Sequence, residues 1–360
     1  MSRFSRLLLL AAVCVLSALP IAARSLQRGG AAPAPAANAG GTTARAVSAA
    51  TAFLATLNDA ERAKAAFPFD SPQKTNWSNL PTGIYQRNSL RLGDLAPAKR
   101  NAAMAVVAAV LSANGYRKVN DIMNGDEVLR TGGGGQGGGR GGGRGGGRGG
   151  PAFGLDEYYI AILGTPSPAA PWMVQFGGHH LAINVTIVGA SNVMTPSLPA
   201  AQPASYTLNG QSIRPLGAEN DKGFALINAL NAGQQAKAIL PSRVADLVLG
   251  AGQDGKAIQP EGILASELTP AQQTSLLDLA HEWVGILNDE GANAKMAELR
   301  ANLSRTYFAW SGPTTNGSVA YFRIQGPTVV IEYAPQGNVD HIHTIYRDPT
   351  NDYGAGLVKR

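Results

Sequence analysis

The chain has 360 residues and a single cysteine, Cys14, so disulfides cannot hold it and an ordinary hydrophobic core must. Cys14 lies in the apolar run of the expected export signal, so the mature chain would have no thiolate as nucleophile or metal ligand, leaving nitrogen and oxygen donors. The net charge is +6, but Arg3 and Arg6 sit in the first residues and Arg140, Arg144 and Arg148 in a glycine tract; the remainder is close to neutral, which argues against nucleic acid as a partner.

Residues 1–24 read as a cleaved export signal: two arginines, an apolar run too short to span a bilayer comfortably, and a small-residue exit at Ala22 and Ala23. This predicts a periplasmic or secreted protein that meets the membrane only through that signal. Residues 25–43, rich in Ala, Pro and Gly, read as a tether. Val47, Ala50, Phe53, Leu54 and Leu57 predict one helix over 44–66, and the Ala-rich stretch 95–116, with Pro97 near its start, a second. The tract over 132–150 reads as a low-complexity loop insertion, because polyglycine buries no apolar area to offset its ordering entropy. Strand-like runs EYYIAILG, WMVQF and HHLAINVTIVG follow, with Gly177 and Gly178 as the expected hairpin turn. One helix is predicted over 223–240 and a stronger one after Thr269, an N-cap followed by Pro270. A further helix over 292–303 leads to two strands around Gly326-Pro327 and a final element, DHIHTIYRDP. With no evident internal repeat, the expectation is one α+β domain over 44–360, a mainly antiparallel sheet of hairpins packed against several helices.

Four of the five histidines fall in two short runs. Strand alternation puts Leu181, Ile183, Val185 and Ile187 on a core face and His180, with Ala182, Asn184 and Thr186, on the other, so His180 is favoured over His179 as a site residue. His341 and His343 are two apart and project from one face of an extended segment, roughly 7 Å apart at the backbone. Converging imidazoles bind a divalent metal ion, zinc or copper, and the expected ligands are His180, His341 and His343, with His179 and Glu332 as completions. Glu332 is chosen because Val329, Ile331 and Tyr333 take the opposite, apolar face. Arg347, on the turn-rich RDPTNDYG stretch, either clamps an anionic group over the site or pairs with Asp348 or Asp352 to lock its loop. His281 begins HEWVG, but Gly285 stands where a zinc-protease helix needs its second histidine, so His281 reads as a helix-side residue beside Trp283.

An open coordination position would make this a metal-dependent hydrolase of a small-molecule or cell-envelope substrate, with Arg347 and Glu332 in catalytic roles. The alternative is a non-catalytic binder of metal or small ligand, walled by Trp172, Trp310 and Tyr346. The stretches PWMVQFGGHHLAINVTIVG, YFRIQGPTVVIEY and DHIHTIYRDPTNDYG, with RLGDLAPAKRNAAMAVVAAVLSANGY before them, resemble the exported bacterial proteins grouped as domain of unknown function 3500. The resemblance covers nearly the whole chain outside the tether and the tract. It implies that both histidine runs belong to the family's pattern and names no activity.

Overall fold

The computed structural model describes residues 41–132 and 150–359; the expected export signal, the tether up to residue 40 and the interior of the glycine tract lie outside the described residues. The predicted first helix is two, α1 (Thr42–Thr56) and α2 (Asp59–Ala65). Asn58 restarts the chain: its side chain accepts the Glu61 N–H while the Glu61 carboxylate accepts its own, a capping box. Short strands β1 (Ala66–Phe67) and β2 (Leu90–Arg91) precede α3 (Pro97–Val110). The chain then breaks at Leu111, and Ser112 caps α4 (Ala113–Thr131) by accepting the Gly115 N–H.

After the tract come β3 (Tyr159–Leu163), β4 (Trp172–Gly178), β5 (Leu181–Val188), β6 (Ser191–Val193), β7 (Leu198–Pro199) and a small hairpin, β8 (Tyr206–Leu208) with β9 (Gln211–Ile213). The helix expected over 223–240 is also two, α5 (Gly217–Ala229) and α6 (Ala232–Ala238), separated by a second capping box, Asn231 with Gln234. Then follow β10 (Ile263–Leu264), α7 (Pro270–Val284) capped by Thr269 as expected, α8 (Asp289–Ala301), β11 (Tyr307–Ser311), β12 (Tyr321–Gly326), β13 (Val329–Pro335), β14 (Ile342–Arg347) and α9 (Ala355–Val358). The fold is α+β, its sheets mostly antiparallel.

The same order occurs twice, which corrects the expectation of no repeat. α1–α2–β1–β2–α3–α4–β3–β4–β5 is followed by α5–α6–β10–α7–α8–β11–β12–β13, and the strand registers coincide. Leu90 faces Ile160 as Ile263 faces Phe308; Ile162 faces Val174 as Trp310 faces Phe322; Gly178 faces Leu181 as Gly326 faces Val329. Even the parallel pairing of Ala66 with Ile162 has its match in an isolated bridge from Ile239 to Trp310. The sequence trace is LNDAERAKAAFP beside LNAGQQAKAILP, and LRLGDLAP beside ILASELTP. It is hard to see because the shared positions are mostly small or apolar and the glycine tract shifts the spacing in one copy.

Each copy contributes one sheet. The segment 197–201 joins them, pairing with β5 through Leu181–Pro199 and Ala182–Leu198 and with β14 through Ser197–Tyr346 and Ala201–Ile342. β5 and β14 are both antiparallel to this segment, so they run parallel to each other with their starts side by side. Residues 180 and 341 immediately precede those starts. One face of the joined sheets carries the main apolar core, including Trp172, Phe176, Ile183, Trp310 and Phe322. The loops after α2 and α6 cover the other, where Trp77 and Leu247 pack with Ala182 and Ile345.

Candidate metal centre

Gly177 and Gly178 are ladder residues, facing Ala182 and Leu181, so the expected glycine turn is instead made by His179 and His180. Close approach explains the glycines. A Cβ at Gly177 would lie 2.3 Å from Leu181 O, and one at Gly178 2.7 Å from Glu157 O. His180 adopts φ 59°, a left-handed conformation that costs a β-unbranched side chain on the order of 1 kcal/mol and that loops commonly assign to glycine or asparagine. The chain around it holds it there: His180 N–H donates to Asn79 O (3.1 Å), Ala200 N–H to His180 O (2.9 Å), and the Tyr158 hydroxyl to His179 O (3.0 Å). Because His180 precedes the strand, this backbone conformation, and not strand alternation, sets its direction.

Three imidazoles meet. The Nε2 atoms of His180 and His341 are 2.9 Å apart, and those of His341 and His343 are 3.0 Å apart. Each of the three offers a ligand atom within 4.8 Å of the others, so they can hold a metal ion. Asp246 Oδ1 lies 3.2 Å from His343 Nδ1, which places the ring proton there and leaves the Nε2 lone pair facing its neighbours. Burial, then His179 and the other two histidines, pushes the His180 imidazole well below its ordinary pKa; burial, then His343 and His179, lowers His341 to about 4. Both are therefore neutral near pH 7, as metal ligands must be. His180 and His343 are buried and His341 is partly exposed, so the centre opens on the His341 side. The amide Nδ2 of Asn79 stands 3.3 Å from His343 Nε2 at the same point.

The other expected site residues have different uses in the structure. His179 stacks on His180 with ring centroids 3.7 Å apart, and its Nδ1 lies 2.6 Å from the buried Asp126 carboxylate, which also accepts the Gly154 N–H. Glu332 is on the same sheet face as His343, but its carboxylate accepts the N–H groups of Val248 (2.7 Å) and Leu249 (2.8 Å) and the Tyr321 hydroxyl (3.0 Å). Burial raises its pKa, and those donors oppose the rise. Arg347 donates to Leu249 O, Gly250 O, Asp254 and Asp352, while Asp348 pairs with Lys295. Glu332 and Arg347 thus pin the loop that carries Asp246 to His343. They act on the centre from one step away.

Trp172 and Trp310 are core residues, Tyr346 lies on the opposite face of β14 from His343, and His281 is exposed on α7 with Trp283 buried beside it in sequence. Sequence reasoning missed Asp246, Asp126 and Asn79. The first and last come from the irregular loops after α6 and α2, and Asp126 from α4; no spacing ties any of them to a histidine.

No curated protein and no solved structure matches this chain. The model of the family described as Protein of unknown function (DUF3500) matches residues 39–355, which takes in both copies of the repeat and every residue of the histidine centre. The chain belongs to that family.

Proposed function

We propose that the protein is an exported metal-dependent hydrolase whose metal is held by His180, His341 and His343. The observation that supports this most is the convergence of three Nε2 atoms, two of them on imidazoles kept neutral by burial, with a carboxylate fixing the third ring's tautomer. Neutral lone pairs pointed at one another are better satisfied by a shared cation than by a single proton in each gap. An all-imidazole set suits zinc or copper, and zinc is the ion that hydrolysis favours. His180, His341 and His343 would hold the ion, and an ion so held would supply a water of lowered pKa or polarise a substrate oxygen.

The chain's own groups would orient what enters. The Asn79 amide, beside His343 Nε2, can donate to an oxygen at the centre, and the partly exposed side of His341 is the route for a small-molecule or cell-envelope substrate. Export rests on residues 1–24, two arginines followed by an apolar run and a small-residue exit. The test is elemental analysis by mass spectrometry of untagged protein purified from the periplasm, beside the His341→Ala/His343→Ala double variant. Near-stoichiometric zinc or copper in the wild type, absent from the variant, is expected; no metal in the wild type, even after either ion is added, overturns the reading.

A further inference from the structure

A second site lies away from the histidines. A cavity of about 510 Å³, in the range of small-ligand pockets, opens between β6, α8 and the segment after β14. In the duplicated plan β6 stands to β5 as β14 stands to β13: Thr186 faces Val193 where Ala334 faces His343. Ser191 and Val193 therefore hold the register positions that His341 and His343 hold in the other copy. Both line the cavity.

The polar groups of the wall define what fits. Lys295, the one cation among the lining residues, is fully used, donating to Glu298 (2.9 Å), Asp348 (2.5 Å) and Thr328 O (2.7 Å). Asp348 accepts in addition from the Thr350 N–H and hydroxyl, so it is satisfied as well. Among the lining carboxylates, that of Glu290 and the second oxygen of Glu298 have no partner among the described residues. Tyr346 lines the cavity at 3% exposure, and its hydroxyl also makes no hydrogen bond among the described residues. A hydroxyl without a protein partner, free carboxylate oxygens, apolar walls from Met194 and Leu287 and no unpaired cation favour a positively charged guest.

We propose that this cavity binds a small organic cation, a primary amine on a short apolar body, with Glu298 and Glu290 taking the ammonium and Tyr346 a hydrogen bond. This site is independent of the metal centre. The test is isothermal titration of the full protein with 1,4-diaminobutane and, as a neutral mimic of the same length, butane-1,4-diol. The diamine is expected to bind one to one, with affinity about tenfold weaker in Glu298→Gln and in Tyr346→Phe, the loss of one charge-assisted or buried hydrogen bond. It should bind unchanged in the His341→Ala/His343→Ala variant. Glu298 is a half-exposed helix residue, so Glu298→Gln keeps the fold even if Tyr346→Phe disturbs it. Absence of saturable binding, equal affinity for the diol, indifference to both cavity variants, or loss in the histidine variant would each overturn the proposal.

Discussion

The turn His179–His180 and the turn Pro327–Thr328 close the same hairpin in the two copies of the repeat, each beyond a glycine that pairs across the ladder. Their surroundings are matched too. Gln175 faces Asn184 where Arg323 faces Glu332, and each polar pair catches the loop that follows the second helix of its own copy. In the first copy Gln175 bonds Gln73 and Lys74 O; in the second Glu332 bonds Val248 and Leu249. What differs is chemistry. One turn carries stacked imidazoles and a left-handed residue, and the other a proline and a threonine of ordinary backbone. The scaffold therefore supplies position, and a few side chains on one copy turn that position into a candidate site.

The largest expected effect separates the two loop-catching pairs. Glu332→Ala strands two backbone N–H groups and the Tyr321 hydroxyl in a buried place and should lower unfolding free energy by roughly 3–5 kcal/mol. Asn184→Ala, in the neutral counterpart, should cost about 1–3 kcal/mol. Urea denaturation measures both, and equal costs would break the comparison. Next is the loop's delivery of Asp246. Asp246→Asn should weaken metal binding by about tenfold to a hundredfold in a chelator competition, with the fold intact, since an amide oxygen can still accept from the Leu247 N–H and Gln336 while the negative charge beside His343 is lost.

Smaller again is the backbone strain. His180→Asn should abolish stoichiometric metal yet raise the stability of the metal-free protein by about 1 kcal/mol, because asparagine tolerates φ 59°. Thr328→Asn, at the matching position without positive φ, should show no such gain. Last, His281→Ala on the exposed face of α7 should change stability by less than about 0.5 kcal/mol and leave metal content as it was. A loss of metal there would mean that the centre extends beyond the turn and β14.

Much of the fold was legible in residues that act locally. Thr269 and Pro270 announced α7, and the alternation of Val329, Ile331 and Tyr333 against Glu332 gave the correct faces of β13. The two long helices that proved to be four failed for one reason: the apolar period runs through Leu57-Asn58 and Leu230-Asn231, while each capping box that breaks it there rests on two polar residues, an asparagine and the Glu61 or Gln234 three further on. Gly177-Gly178 looked like a turn because glycine permits one, but here it answers a close contact across the ladder.

By itself the sequence determined the α+β class, the strand faces and the two histidine runs, because helix caps, side-chain alternation and residue chemistry are short-range properties. Only the tertiary structure decided that His180 meets His341 and His343, since this needs the segment 197–201 to lay β5 and β14 side by side. It also decided that Asp246, and not Glu332, reaches an imidazole. Contacts made across a sheet seam or by an irregular loop leave no period in the chain, and burial alone selects them.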